Sequence, residues 1–251
     1  MQRVTFTTKR NLNHAVTHPN PIPNPIKQHP LAMTTQLIIV RHGQTDWNIE
    51  RRIQGWRDID LNDNGRMQAQ RLAAALASPE SKHAPLHAIY SSDLSRARET
   101  AQAVARALQL PLNVTSGVRE RNYGILEGVP FDQMHEHHPE VAAIWKSRDP
   151  DGVIPQGETL RTFNERVTGA LHDIAKRHQQ ERVMVVTHGG AMDIIWRAAT
   201  GEPIEAPRKT VFLNASINRI AIKVNGDAFE WELHEWGDIS HLEDADNDVV
   251  A

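Results

Sequence analysis

Two apolar, strand-like runs in this sequence end in histidine and glycine. One reads Leu37-Ile38-Ile39-Val40-Arg41-His42-Gly43, the other Val183-Met184-Val185-Val186-Thr187-His188-Gly189-Gly190. Ligands bind at the carboxyl ends of strands in a parallel α/β sheet, so both imidazoles are expected on one rim. A histidine beside an arginine suits phosphoryl chemistry. The imidazole can act as a nucleophile, and the guanidinium can hold phosphate oxygens through two parallel hydrogen bonds. A single such histidine would read as a strand end tied to a loop. Two of them, each followed by glycine, read as chemistry.

The elements that must carry these residues alternate along the chain. After the strand Leu37 to Val40, the residues Ala69, Leu72, Ala73 and Leu76 have the spacing of a helix that starts near Asp63 or Asn64. A second strand, His87 to Tyr90, ends in Ser91-Ser92-Asp93. Ala97, Ala101, Val104 and Leu108 form a second helical stripe, stopped by Pro111, and Leu112 to Val114 reads as extended. Tyr123 to Gly157 is irregular, with a helix over Glu140 to Lys146, and is expected to cover the site. Leu160, Phe163, Val167, Leu171 and Ile174 mark a third helix. Val183 to Val186 reads as a buried strand, with Met192, Ile195 and Ala199 on the helix that follows. Ile217 to Val224 and Phe229 to His234 read as a hairpin around Asn225-Gly226-Asp227. The pattern predicts a three-layer α/β/α sandwich with a mostly parallel central sheet.

Composition bounds the partners. The 251 residues hold 28 Lys+Arg against 31 Asp+Glu, a net charge of −3, so no basic excess points to nucleic acid or to an anionic membrane. Hydrophobic residues make up 39%, enough for a sizeable core, and no apolar run approaches a membrane span. The absence of cysteine excludes disulfides, thiolate metal sites and a cysteine nucleophile; it fits a reducing, cytoplasmic setting. Residues 1–34 are basic and Pro/Asn-rich, without the apolar core of a secretory signal, and their closely spaced prolines argue against a transit helix. This segment is expected to be a disordered extension, with Met33 as an alternative start. Residues 35–242 would form one domain and 243–251 an acidic, solvated tail.

Several stretches, in order, carry a family likeness. They are Arg41-His42-Gly43-Gln44-Thr45-Asp46-Trp47-Asn48, Arg51-Arg52-Ile53-Gln54-Gly55, Ser91-Ser92-Asp93-Leu94-Ser95-Arg96-Ala97, Arg119-Glu120-Arg121-Asn122-Tyr123-Gly124, Gly157-Glu158-Thr159-Leu160 and Thr187-His188-Gly189. From about Leu37 to Leu242 the chain resembles the histidine phosphatase superfamily, the phosphoglycerate mutase-like proteins. Trp236-Gly237-Asp238-Ile239-Ser240-His241-Leu242 is similar to its smaller B-type branch. The resemblance implies a phosphoryl acceptor at His42, with Arg41, Arg96 and His188 around the phosphoryl oxygens and Glu120 as proton donor. It also implies phosphate contacts from Asn48, Gln54, Gly55 and Gly189, and a mutase-like Tyr123 beside the substrate. Glu120 would need a carboxyl able to keep its proton and then, ionised, activate water. Glu127 competes for that role, but reads better as a carboxylate holding a loop.

Other signals are weaker. His135, Glu136, His137 and His138 could suggest a metal site, yet without further clustered ligands they read as a solvated turn. His234 and His241 read as packing or surface residues, and Trp145, Trp196, Trp231 and Trp236 as core or rim aromatics. No metal and no cofactor is expected. The expected partner is a small phosphorylated metabolite, and an exposed edge strand could support a homodimer.

Hydrolysis and mutase chemistry differ in what surrounds the leaving group. The resemblance gives mutases a lysine after the Tyr-Gly element, where Phe131 stands here. It also gives them an arginine pair after a tryptophan, where Trp145 is followed by Lys146-Ser147-Arg148. With Val129 and Phe131 apolar and the insertion short, phosphomonoester hydrolysis is favoured. The alternatives are a 2-/3-phosphoglycerate mutase, which alone would need 2,3-bisphosphoglycerate as primer, and a non-catalytic phosphate-ligand binder. Nothing in the sequence disarms the site, which counts against the binder.

Overall fold

The computed structural model describes residues 33–242; the expected extension up to residue 32 and the acidic tail from Glu243 lie outside the described residues. Strand β1 (Met33–Arg41) leads into a one-turn helix α1 (Asp46–Ile49), then α2 (Asp63–Ala77), β2 (Ala88–Ser92), α3 (Ser95–Leu108) and β3 (Leu112–Thr115). A 3-10 turn (Ser116–Val118) follows β3, and two more (Gly124–Leu126 and Phe131–Gln133) with the short helices α4 (Met134–His137) and α5 (Pro139–Ser147) fill the irregular stretch. They are followed by α6 (Leu160–Arg177), β4 (Arg182–Thr187), α7 (Gly189–Thr200), β5 (Ile217–Asn225) and β6 (Ala228–Asp238). The six-stranded sheet has the order β3-β2-β4-β1-β5-β6. Pairings from β3 through β1 are parallel, and β5 and β6 add antiparallel. The sheet is therefore mixed, with its parallel half carrying the two histidine-ended strands.

Alternation along the central strands divides the core between two helical layers. Leu37, Ile39, Val183 and Val185 pack with Phe163, Val167 and Leu171 of α6 and with Ile194 and Ile195 of α7. Ile38, Val40, Met184 and Val186 face Leu72 of α2 and Ala97, Ala101 and Val104 of α3. Strands buried on both faces need a continuous apolar run rather than an alternating one, which is how β1 and β4 read. Each buried branched side chain contributes roughly 1.5–3 kcal/mol.

Strand β1 starts four residues before its apolar run, so Met33 and Thr34 belong to the sheet and not to the extension. Met33 pairs with Val224 and Thr35 with Ile222, while the Thr35 hydroxyl bonds Ala175 O and His178 O at 2.9 Å. A polar residue satisfied in this way extends a strand without an apolar signal. Helix α3 ends earlier than Pro111, capped by Gln109 at φ 54°. Helix α5 begins with Pro139 in its first turn, where the missing N–H costs nothing.

The irregular stretch has a small core of its own. Ile53, Leu126, Met134, Ala142 and Ile154 cluster together, with Tyr123, Val129 and Trp145 packed against them. This cap is joined to the loop after α1 by backbone bonds such as Gly128 N to Ile53 O at 2.7 Å and Ile53 N to Val129 O at 3.0 Å.

Candidate active site

Parallel pairing places Arg41 opposite Thr187, so the residues after β1 and β4 leave the sheet side by side. His42 and His188 meet there, with ring centroids 5.1 Å apart. Nδ1 of His42 lies 2.7 Å from Gly43 O. A carbonyl can only accept, so the neutral ring carries its proton on Nδ1 and its lone pair on Nε2. Burial, and then Arg96 and Arg41, push His42 well below the ordinary histidine value, which keeps that lone pair available. His188 is fully buried, and neither of its ring nitrogens has a hydrogen-bond partner. Burial, followed by Arg96, His42 and Arg41, lowers its pKa in the same direction.

Two desolvated guanidiniums frame this pair. Arg96, in the first turn of α3 and completely buried, donates to Gly55 O at 2.8 Å and Arg57 O at 2.9 Å. Arg41 donates to Phe212 O. Both keep a buried Nε–H without a partner, and burial lowers both pKa values to about 10. Groups left this way are satisfied by an anion that accepts from several of them at once.

Glu120 lines the same cavity, almost buried. Its Oε1 accepts from Arg121 N at 2.8 Å and its Oε2 from Gly190 N at 2.9 Å, in the first turn of α7. Gly190 is dictated by this approach: a Cβ there would lie 2.2 Å from Glu120 Oε1. The Glu120 carbonyl is held by Trp56 Nε1 at 2.8 Å and Arg166 at 3.0 Å. Arg166 is in turn paired with the Glu158 carboxylate at 2.7 Å, which also accepts from Asn122 N at 2.9 Å, while the Glu158 carbonyl accepts from Arg121. The Gly157-Glu158-Thr159-Leu160 stretch thus acts at a distance, as a brace on the Glu120 segment.

Glu127 does what a loop-holding carboxylate should. Its Oε1 accepts from Trp56 N at 2.8 Å and Tyr123 N at 3.1 Å, and it fills the space beside Gly55, whose φ is +54°. A Cβ on Gly55 would lie 2.1 Å from that oxygen. The neighbouring Gln54 is buried, with Oε1 unpartnered. Asn48 completes the capping box of α1 with Thr45: its Oδ1 accepts from Thr45 N at 3.0 Å and from Asn214 at 3.4 Å, leaving its amide donor free to offer.

Arg41, His42, Asn48, Gln54, Gly55, Arg96, Glu120, Tyr123 and Gly189 all line one cavity of about 770 Å³, and the His188 ring lies 5.1 Å from that of His42. Burial, and Glu120 next, raise the pKa of Tyr123, so its hydroxyl keeps its proton. Trp145 and the exposed Phe131 stand together at the mouth, 5.9 Å between centroids. Sequence reasoning missed Trp56, Arg166 and Asn214, which touch this site through backbone atoms, and Arg208, which comes from the loop after α7. No local pattern marks any of them.

The other sequence signals fall elsewhere. His135 and His137 are exposed, and among the described residues the His135–His138 stretch joins no group with metal-ligand spacing. The one such group is His83, Glu235 and Asp238, outside the cavity, where the Lys82 ammonium already sits 2.6 Å from Glu235 and 3.0 Å from Asp238. His234 is exposed near Glu232, and Trp196, Trp231 and Trp236 pack against the larger core. No helix among the described residues is long and apolar enough to cross a membrane.

The profile of the histidine phosphatase superfamily (branch 1) matches residues 37–239. Phosphoglycerate mutase-like protein 4 of Arabidopsis thaliana is 39% identical over 211 residues, 83% of this chain and 87% of the relative. The metal-independent phosphoserine phosphatase of the same plant is 37% identical over 210 residues, 83% of each chain. Among solved structures, YhfR of Bacillus stearothermophilus superposes with a TM-score of 0.72 at 31% identity, covering 83% of this chain and 99% of that one.

Proposed function

The chain belongs to the histidine phosphatase superfamily (branch 1), and on that premise we propose that it hydrolyses phosphomonoesters through a phosphohistidine on His42. One observation carries the reading: a neutral imidazole with its lone pair on Nε2 shares a cavity with two buried guanidiniums that each keep an Nε–H without a partner.

In the first step Nε2 of His42 forms a bond to phosphorus while the ester P–O bond breaks. The leaving oxygen takes the Glu120 proton, and Arg41, Arg96 and His188 hold the equatorial oxygens as charge spreads over them. In the second step the ionised Glu120 takes a proton from water, whose oxygen displaces Nε2 from phosphorus and releases inorganic phosphate. Glu120 is then protonated for the next cycle. One carboxylate amid cations is a poor donor set for a divalent metal, which prefers several oxygens, so the chain's own residues suffice for each step.

A mutase would return the phosphoryl group to a second hydroxyl while excluding water. The relatives named mutase-like favour that second reading. Against it, Phe131 occupies the position where the resemblance asks for a lysine. Arg148 is already tied to Asp193 at 2.8 Å and to Ile204 O at 2.7 Å.

The test is to incubate the protein with 3-phosphoglycerate, with and without 2,3-bisphosphoglycerate, and with 4-nitrophenyl phosphate. Hydrolysis predicts free phosphate from the aryl ester and an acid-labile, base-stable phosphoprotein in quenched mixtures, both lost in His42→Ala. Formation of 2-phosphoglycerate without comparable phosphate release would favour the mutase. Turnover by His42→Ala near the parent rate would rule out covalent catalysis at this residue.

A further inference from the structure

The loop that carries His42 is held by a different element at each backbone N–H. His42 N donates to Thr187 O at 2.9 Å, Gly43 N to Thr100 Oγ1 at 3.0 Å, Gln44 N to Gln68 Oε1 at 2.9 Å and Thr45 N to Asn48 Oδ1 at 3.0 Å. Buried N–H groups need acceptors, and three of these bonds are accounted for by that need alone. The bond to Gln68 does more. Gln44 N–H and Gly43 C=O belong to one planar peptide unit. That same carbonyl holds Nδ1 of His42 at 2.7 Å. Gln68 is therefore joined to the imidazole through a single peptide group, with Oε1 at one end and Nδ1–H at the other.

Helix α2 is built to bring Gln68 there. Gly65 and Gln68, three residues apart, share one buried face of the helix. A Cβ on Gly65 would stand 2.1 Å from Gln44 O, and one on Gly43 would stand 2.5 Å from Gly65 O. The helix and the loop thus approach backbone to backbone only because both positions are glycine. The same end of α2 holds Gln44 again. Asn62 N donates to Gln44 O at 3.1 Å, and the Asn62 and Asn64 amides donate to Gln44 Oε1 at 3.0 Å and 3.2 Å. Gln68 itself is only 4% exposed. Because the partner of Nδ1 is a neutral carbonyl and not a carboxylate, its aim and its basicity decide how firmly the ring is held.

We propose that Gln68 is a positioning residue for phosphoryl transfer, fixing the tautomer of His42 through the Gly43–Gln44 peptide and strengthening the carbonyl that meets positive charge on the ring. An acceptor on an amide N–H pushes electron density onto the amide oxygen, which makes that oxygen a better acceptor in turn. The bond made by one ring nitrogen decides which of the two carries the proton. When Nε2 bonds to phosphorus, the ring becomes cationic and the proton on Nδ1 stays where it is. The Nδ1–H···O=C bond is then charge-assisted and stronger than in the resting enzyme. Its benefit falls on the transition state more than on the bound phosphate, so it belongs to the rate of His42 phosphorylation and not to affinity. This inference rests on His42 as the nucleophile.

Gln68→Met keeps the length of the side chain and removes the acceptor oxygen. Rapid-quench formation of the phosphoprotein from 4-nitrophenyl phosphate is expected to slow by roughly tenfold or more, the scale on which the outer partner of a metal-bound imidazole is felt. The dissociation constant for inorganic phosphate should stay close to that of the parent. Gln68→Glu, which keeps an oxygen at the same reach, should recover most of the rate. NMR of isotope-labelled histidine, with the His42 signals found by their loss in His42→Ala, should show Nδ1–H in the parent and a mixture of tautomers in Gln68→Met. Phosphorylation of Gln68→Met at the parent rate would overturn the role. So would a slowed rate with the parent's tautomer pattern, which would leave Gln68 as packing, or an equal loss in Gln68→Glu. If Gln68→Met does not fold, Gln68→Asn, whose oxygen stops one carbon short, is read in the same way. Absence of any phosphoprotein in the parent would instead sink His42 as nucleophile; the tautomer comparison, made without substrate, then decides about Gln68 by itself.

Discussion

At the residue scale, the site works by withholding partners. His42 spends Nδ1 on Gly43 O and keeps Nε2; Arg41 and Arg96 spend one end on carbonyls and keep Nε–H; His188 keeps both nitrogens. Buried polar groups left in this state cost stability, and a phosphoryl group repays the cost by accepting from several at once. Glu120 shows the opposite tactic, with both oxygens aimed by backbone N–H groups. A methyl on Gly190 would fall 2.2 Å from Glu120 Oε1 and 3.2 Å from the Tyr123 hydroxyl. Gly190→Ala is therefore expected to displace the carboxylate and cut kcat by roughly a hundredfold, the scale of a lost general acid. Thermal melting should show the fold retained. Full activity in this variant would mean that the position of Glu120 does not govern protonation of the leaving oxygen.

At the element scale, β1 and β4 place the two imidazoles, while helix starts place the charges around them. Arg96 projects from the first turn of α3, and Gly190 N–H from the first turn of α7. The brace from α6 is less obvious. Arg166 reaches the carbonyls of Ser116, Gly117 and Arg119 at 3.1–3.2 Å and that of Glu120 at 3.0 Å, held by Glu158. Removing the Glu158 charge leaves a half-buried guanidinium without its counter-ion. Glu158→Gln is expected to cost about 1–3 kcal/mol of stability and to lower kcat by loosening the Glu120 segment. Urea unfolding together with steady-state kinetics would show it; a variant as stable and as fast as the parent would remove α6 from the account of the site.

At the scale of the whole molecule, the buried neutral histidines couple the site to folding. His42 and His188 are driven well below 6.5, chiefly by burial, and burial lowers His83, His172 and His241 as well. The unfolded chain binds these protons more readily than the folded one. The stabilising contribution is therefore complete above the unfolded value and is lost as pH falls below about 6.5, at roughly 1.4 kcal/mol per pH unit for each strongly shifted histidine. Denaturant unfolding at pH 8, 7, 6 and 5 should show stability dropping on the acid side. Inorganic phosphate, binding only the folded form, should offset part of that drop. A flat profile from pH 8 to 5 would mean that these imidazoles take up protons in the native state.

The amino-acid sequence alone determined the layered fold and the two buried strands, and its resemblance to a known family named Arg41, His42, Asn48, Gln54, Gly55, Arg96, Glu120, Tyr123 and Gly189 of the cavity. Continuous apolar runs, helical stripes and an Arg-His-Gly triplet are local signals, readable without any contact. Its apolar code was blind to the start of β1, because Thr35 is satisfied by carbonyls of the α6 segment and its neighbours by β5, at contacts more than a hundred residues away. The tertiary structure supplied the physical reason for the different roles of Glu120 and Glu127, since the two carboxylates meet different backbone N–H groups: those of Arg121 and Gly190 for Glu120, those of Trp56 and Tyr123 for Glu127. It alone brought Trp56, Arg166, Asn214 and Arg208 to the site. Hydrogen bonds and charge act through space, and nothing in the spacing of residues along a chain records which distant loop will close that space.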